Sequence, residues 1–369
     1  MLHRLAKRCW KTAPEAVRLV ALRLALAMRA IKRDGTTPGD GPCYVVGSLR
    51  AATGVGKGAH FYLEQCRSEG CEAIGVDVTA EMLQEAVLPS PSGPSASDRW
   101  LTLADLEDRR GPGTVVIHAN PPLFQLLLAR LPQTFLRNKR LVAYWAWELE
   151  RLPQSYVMAL PYVDAVEVPS TFTAQAVQHE TTKQVTVHPH VVPMPTRQKT
   201  TFCENGILHC LYIVDLASGY ERKNPRAAIA AFANAFPNGM GASLTIKVSQ
   251  HLADRKAFAT LCQLADATPG VRIVTGWLTP DQLEELYLQN DVYLSTHRSE
   301  GYGLTLREAM NYGLYVVATG WSGNMDFMHG TKDTALPYAL VNAGQHGQWA
   351  EVDVDKTALE LRRIQGLAA

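Results

Sequence analysis

Short apolar runs recur along the chain, each followed by a stretch whose apolar positions return every third or fourth residue, a pattern of strands separated by helices. In the first half the strands read as Cys43–Leu49, Ala73–Val78, Thr114–His118, Arg140–Trp145 and Val163–Val168. Helices are expected from about Ala59 to Glu69, after Pro122, and after Pro169-Ser170-Thr171, where a hydroxyl can cap the first turn. The second half repeats the alternation, with strands Leu208–Val214, Ser243–Val248, Val271–Val274, Asp291–Ser295 and Tyr315–Ala318. Helices Pro225–Phe236, His251–Ala267, Pro280–Gln289 and Thr305–Tyr312 fall between them, and the tail Glu351–Ala369 reads as helical. Strands that alternate with helices imply parallel sheets with right-handed crossovers. Val185–Pro195 carries three prolines and reads as an extended interdomain connector.

The expected organisation is therefore α/β: a segment 1–35, a domain over 36–195, a second over 196–345, and a helical tail 346–369. Both domains are expected to be Rossmann-like parallel sheets facing a central cleft, with ligands at the carboxyl ends of strands.

At 369 residues, two domains match the length, and 47% hydrophobic residues suffice for two cores. The net charge of +1 provides no global field that would recruit nucleic acid. The seven cysteines include no CxxC spacing, which argues against a zinc site or a disulfide framework and suits a reducing cytoplasm.

The first 33 residues break this neutrality, with Arg4, Lys7, Arg8, Lys11, Arg18, Arg23, Arg29, Lys32 and Arg33 against Glu15. At about 100° per residue, Val17, Val20, Leu24, Met28 and Ile31 share one face of a helix over residues 15–33, and Arg18, Arg29, Lys32 and Arg33 the other. The arginines interrupt any apolar span of the roughly 20 residues a membrane crossing needs. Two readings stay open: a helix packed on its own domain, or one lying on an anionic membrane surface.

The densest chemistry lies in Ser295–Gly323, STHRSEGYGLTLREAMNYGLYVVATGWSG. Glu300 follows a strand, Gly301 and Gly303 bracket Tyr302, and a helix opens near Leu304 with Glu308 in its first turns. A glycine-flanked helix start presents free amides and a positive dipole end, which suit a diphosphate. A carboxylate on the adjoining loop can meet sugar hydroxyls or a developing oxocarbenium ion, and one on the helix can hold a ribose diol.

With Glu300-Gly301-Tyr302-Gly303-Leu304, then Glu308-Ala309-Met310, and the strand Tyr315–Ala318 before Thr319-Gly320, the sequence resembles glycosyltransferase family 4, retaining enzymes of GT-B fold. The hallmark is a glutamate pair with seven residues between, and a proline is usual where Tyr315 stands. The resemblance implies that Glu300 lies near the donor sugar and Glu308 on the nucleotide ribose. It also implies that Gly301, Tyr302, Gly303, Leu304 and Thr305 line the diphosphate site. Members carry an arginine at the end of the second domain's first strand and a lysine soon after. Here Asp215 takes the arginine's place, Lys223 matches the lysine, and Arg222 is the expected substitute. Two such cations would neutralise a diphosphate leaving group without a metal. The resemblance thus implies a UDP- or GDP-linked sugar donor, a glycan acceptor and no resident cofactor; the basic N-terminal helix favours a lipid-linked acceptor, as in bacterial surface polysaccharide assembly, and with no DxD-like acidic site no metal is expected.

In the first half, Thr53–Gly58 reads as a glycine-rich loop. It fails as a Walker A motif because Ala51 stands where the leading glycine belongs and Gly58 where Ser or Thr belongs. It loosely satisfies GxGxxA, with Asp77 ending the next strand, so an NAD(P)-dependent Rossmann oxidoreductase is one alternative. The intervening Ser48–Thr53 is long for that tight turn. A catalytically silent, membrane-docked module that kept the fold is another. Under the resemblance Gly54, Gly56, Lys57 and Asn120 line the acceptor side, and His118 at a strand end meets the donor sugar. Trp145, Trp147, Glu148 and Glu150 suit either acceptor recognition or core packing, and Trp321–Asp326 can close over the sugar. His188 and His190 read as structural, and His297 suggests no distinct role. The final helix is expected to cross back to the first domain.

Overall fold

The computed structural model describes Val17, Val20 and residues 41–82 and 100–366. Apart from Val17 and Val20, the basic segment of residues 15–33 lies outside the described residues, as does the loop 89–97. The chain divides into two units. The first runs to Ala146 and adds Arg151–Pro169 and Ala174–Val191; the second takes Trp147–Glu150, Ser170–Thr173 and everything from Val192.

In the first unit β1 (Cys43–Gly47), β2 (Ala73–Asp77), β3 (Gly113–His118), β4 (Lys139–Tyr144), β5 (Ala165–Val168) and β6 (Gln184–Val187) build one sheet in the order β2-β1-β3-β4-β5-β6. Every pairing is parallel. The order reverses between β1 and β3, whose last residues Gly47 and His118 lie side by side. Val45, Val116, Val142 and Ala165 pack with Ala59 and Leu63 of the helix Gly54–Ser68 into one core.

That helix corrects the sequence reading, because Gly54–Gly58 is its first turn and not a loop. Thr53 caps it by accepting a hydrogen bond from Gly56 N at 3.2 Å. Gly56 and Gly58 are there for close approach. A methyl at Gly56 would overlap the carbonyl oxygens of Ala51 and Ser48, and one at Gly58 would overlap the His190 ring. β6 likewise occupies the start of the expected connector, and Pro189, Pro193 and Pro195 follow it.

In the second unit β7 (Leu208–Asp215), β8 (Ala242–Ser249), β9 (Val271–Thr275), β10 (Val292–Ser295), β11 (Tyr315–Thr319) and β12 (Asp333–Leu336) form a parallel sheet in the order β12-β11-β10-β7-β8-β9. The period of two along each strand sorts the core into two faces. Leu208, Cys210, Tyr212, Val214, Val292, Leu294 and Val317 pack beneath the helices Pro225–Ala235 and Val354–Gly366. Leu211, Tyr293, Val316 and Ala318 pack against Leu286, Tyr287, Leu306 and Ala309 on the other side. The helix Pro280–Leu288 starts with a capping box between Thr279 and Gln282.

The strand order reverses between β7 and β10, so the crevice beyond their carboxyl ends is where such a sheet takes a ligand. One feature differs from expectation. Residues 346–369 are not all helix: β14 (Gln348–Val352) pairs antiparallel with β13 (Tyr338–Asn342) before the last helix begins. That helix buries Ala358, Leu361 and Ile364 in the second unit's core.

Candidate active site

Beyond β7, Asp215 turns the chain by accepting bonds from Ala217 N and Gln250 Nε2, both at 2.9 Å. Gly219, at φ 101°, opens a single helical turn, Tyr220–Lys223, which Asn224 closes at φ 54°. Pro225 then starts the next helix, where its missing N–H is no loss. The turn's last two residues are Arg222 and Lys223.

Beyond β10, the segment Thr296–Gly303 runs to the helix Leu304–Asn311. Glu300 on this segment is only 7% exposed. Its Oε1 is hydrogen-bonded by Lys223 Nζ, and its Oε2 lies 3.3 Å from Arg222 Nη1. Arg222 also donates to the carbonyl oxygens of Ser299 at 2.8 Å and Ser218 at 3.0 Å, and its Nη2 is 3.7 Å from Glu148 Oε1. Burial opposes ionisation of Glu300, but Lys223 and Arg222 outweigh it and hold the carboxyl down to about pKa 2. The group is a carboxylate locked between two cations at the switch point.

The adjoining backbone is over-determined. Glu300 N donates to Ser322 Oγ at 2.7 Å, and Gly323 N to Glu300 O at 2.9 Å. Gly323 touches Gly301 so closely that a methyl would overlap the Gly301 carbonyl oxygen, which also accepts from Ser170 Oγ at 2.6 Å. Tyr302 is buried, its ring centroid 5.0 Å from that of Phe327. Gly303, at φ 96°, is the N-cap of the helix Leu304–Asn311. The first amides of any helix lack intrahelical partners, and those of Leu304 and Thr305 open this one beside the charged cluster. Tyr293 donates to Thr305 Oγ1 at 2.7 Å, and Tyr287 donates to Glu308 Oε2 at 2.9 Å, so buried phenols hold both side chains from beneath.

His297, to which the sequence assigned no role, braces the same segment. Its Nε2 donates to Asn324 Oδ1 at 3.0 Å, the direction set by Asn324 Nδ2 donating to Thr319 O, which leaves Nδ1 to accept from Ser295 Oγ at 3.0 Å. Burial pushes its pKa down to about 4, against Glu300, so it is neutral near pH 7.

The structure thus brings Arg222, Lys223, Glu300, Gly301, Tyr302, Gly303, Leu304, Thr305 and Glu308 together in the second unit. His118, Gly54, Gly56, Lys57 and Asn120 belong to the first. His118 is 1% exposed, stacked on Tyr144 at 4.2 Å and edge-on to Tyr62 at 4.8 Å, with no partner for its Nε2 among the described residues. Burial, with His190 and His188 nearby, holds its pKa well below the usual histidine range. Asn120 Oδ1 accepts from Ala146 N at 3.0 Å. Trp145 is core, packed between Phe124 and Tyr156, whereas Glu148 and Glu150 group with the second unit, where Glu150 accepts from Gln348 N at 3.1 Å. Among the described residues no three His, Cys, Asp or Glu side chains form a group suited to a metal ion.

The fold is that of GT-B proteins, two Rossmann-like units each carrying a six-stranded parallel sheet. Residues 216–352 match the family model of glycosyl transferases group 1, the stretch that contains every charged residue of the cluster except Glu148. Among solved structures the chain is similar to HepE of Anabaena in complex with UDP, at 14% identity and TM-score 0.59, covering 89% of this chain and 94% of that one. It is also similar to the lipopolysaccharide outer core galactosyltransferase WaaB, at 13% identity and TM-score 0.56, covering 88% and 90%. TarM of S. aureus matches at 13% identity and TM-score 0.53 over 69% of this chain, but the chain spans about half of TarM, 48%. No curated protein matches the chain.

Proposed function

We propose that this protein is a retaining glycosyltransferase that moves a sugar from a UDP- or GDP-linked donor to a glycan or lipid-linked acceptor, in bacterial surface polysaccharide assembly. The observation that carries the reading is a buried carboxylate held by two adjacent cations at the strand-order reversal, beside a glycine-started helix bearing a second carboxylate. The match of residues 216–352 to glycosyl transferases group 1 supports it, as does the likeness to HepE, which was solved with UDP-glucose.

In this reading Lys223 and Arg222 hold the diphosphate, the amides at Leu304 and Thr305 add to the cradle, and Glu308 takes the ribose diol. Glu300 faces the donor sugar. The bond from the sugar's anomeric carbon to the diphosphate oxygen breaks with its electron pair leaving on the diphosphate. The acceptor oxygen then bonds the same face of that carbon, and its proton passes to the departing phosphate oxygen. Charge on the leaving group is neutralised by side-chain cations, so no metal or other cofactor is required. The roles of His118 on the sugar and of Gly54, Gly56, Lys57 and Asn120 towards the acceptor rest on the family resemblance.

Glu300→Gln and Lys223→Ala are expected to abolish transfer from a nucleotide-sugar while circular dichroism and melting show a folded chain. Wild-type rates in both would overturn the assignment. Titration with UDP, GDP and NADPH separates a transferase from an oxidoreductase, since a transferase should bind one of the first two tightly and NADPH weakly.

The basic segment before residue 34 extends the proposal to a peripheral site on an anionic cytoplasmic membrane face. Among the described residues no helix is long and apolar enough to cross a membrane. Removing residues 1–33 should then abolish partition onto anionic vesicles, and unchanged partition would refute the surface reading.

A further inference from the structure

We infer that Arg298 and Glu351 are positioning residues that clamp the turn carrying Arg222 and Lys223 and thereby set how well the pair meets a diphosphate. The inference rests on the reading of that pair as diphosphate ligands.

The turn Tyr220–Lys223 is one helical turn between Gly219 and Asn224, both at positive φ. A single turn fixes many dihedrals for little hydrogen bonding and does not hold its own pose. Tyr212 supports it from below, its hydroxyl bonding the Lys223 carbonyl. From the side, Arg298 N donates to Arg222 O at 2.7 Å, and Arg298 Nη1 donates to Glu221 O at 2.8 Å and to Glu221 Oε2 at 2.9 Å. Arg298 Nε then donates to Glu351 Oε2 at 2.6 Å, while the other oxygen, Glu351 Oε1, accepts from Asn224 Nδ2 at 3.1 Å. One carboxylate thus ties both ends of the turn. It comes from β14, which Arg298 also fixes: Arg298 O accepts from Ala350 N at 2.9 Å, and the guanidinium lies over the Trp349 ring.

As a contribution to stability this ion pair is small, because its side chains are partly exposed, at 18% for Arg298 and 37% for Glu351. Its consequence is geometric. Two cations must reach the same diphosphate from adjacent residues, and displacement of a positioned group by about 1 Å can cost two orders of magnitude in rate. The clamp bonds the carbonyls of Glu221 and Arg222 and the side chains of Glu221 and Asn224, leaving the charged ends of Arg222 and Lys223 to face Glu300.

The test compares the full chain with its Glu351→Gln, Glu351→Ala, Arg298→Lys and Arg298→Ala variants, titrated with UDP and uridine and with GDP and guanosine. A nucleoside lacks the diphosphate, so the ratio of the two affinities isolates the share of the cations. Wild type should prefer the diphosphate of one base. The alanine variants should lose about tenfold of that preference, the weight of one charge-assisted hydrogen bond, with nucleoside affinity unchanged. Glu351→Gln and Arg298→Lys, which retain part of the bonding, should fall between. Variants that keep the wild-type ratio, or that lose nucleoside and diphosphate affinity equally, would overturn the clamp. A wild-type chain that prefers neither diphosphate to its nucleoside instead overturns the diphosphate reading itself, and the wild-type arm alone reveals that.

Discussion

Glu300 occupies a position where desolvation and attraction compete directly. An ionised carboxylate taken out of water is costly, and it stays ionised here because Lys223 and Arg222 are within bonding range on both of its oxygens. Its pKa in the fold, about 2, lies below the ordinary 4.5. Between those values the unfolded chain binds more protons than the folded one, so this contribution is complete above pH 4.5 and is lost as the pH falls towards 2. At about 1.4 kcal/mol per unit the loss approaches about 3 kcal/mol. Glu300→Gln removes that dependence but leaves every other carboxylate in place. Denaturant melts of both proteins at pH 6 and pH 3 should therefore show a gap that changes between the two values, the wild type losing more stability on acidification. Parallel acid limbs would mean that Glu300 is not held by the two cations in solution.

At the scale of the element, the loop–helix junction Glu300–Asn311 depends on contact with the 3-10 turn Gly323–Asp326. A methyl placed on Gly323 would overlap backbone of Gly301 and Glu300, which cannot move aside as a side chain can. Gly323→Ala should cost about 1–3 kcal/mol through overpacking and weaken UDP or GDP binding, because the segment that must shift carries Glu300. Melting and titration on one sample check it; unchanged values in both would show that the junction has slack. This junction was legible in the sequence because its chemistry is contiguous: Glu300, the glycines and Glu308 lie on one strand–loop–helix passage. Lys223 and Arg222 were legible through the family resemblance, as an adjacent basic pair soon after the second unit's first strand. The network around them was not. Glu148 reaches Arg222, Glu351 reaches Asn224 and Ser322 reaches Glu300 N from remote stretches of chain, and no local pattern encodes such pairings. Gly54–Gly58 misled because glycine ordinarily weakens a helix, whereas close packing on Ser48, Ala51 and His190 demands it at Gly56 and Gly58. β13 escaped notice because it is exposed throughout, so burial imposes no alternation on it.

At the scale of the whole molecule, each unit has its own sheet and core, and ligand linkage should register in the second. The last helix belongs to that core. Leu361 and Ile364 are fully buried beside Phe232 and Val292, so the helix Val354–Gly366 and the strand leading to Glu300 share one packed layer. Leu361→Ala should remove about 2–5 kcal/mol from this unit, by lost transfer energy and an unfilled cavity. A nucleotide that binds only the folded unit returns stability as RT ln(1 + [L]/Kd), about 2.7 kcal/mol at a hundredfold excess over Kd. UDP or GDP at that excess should therefore raise the melting transition of the Leu361→Ala variant towards that of the unliganded wild type, and uridine or guanosine at equal concentration should raise it less. Calorimetry distinguishes the outcomes. If Leu361→Ala leaves the transition untouched, the final helix is not part of the core that supports the site. If the nucleotide raises a transition that Leu361→Ala does not lower, the ligand is held outside the second unit, and the geometry around Glu300 is not where it binds.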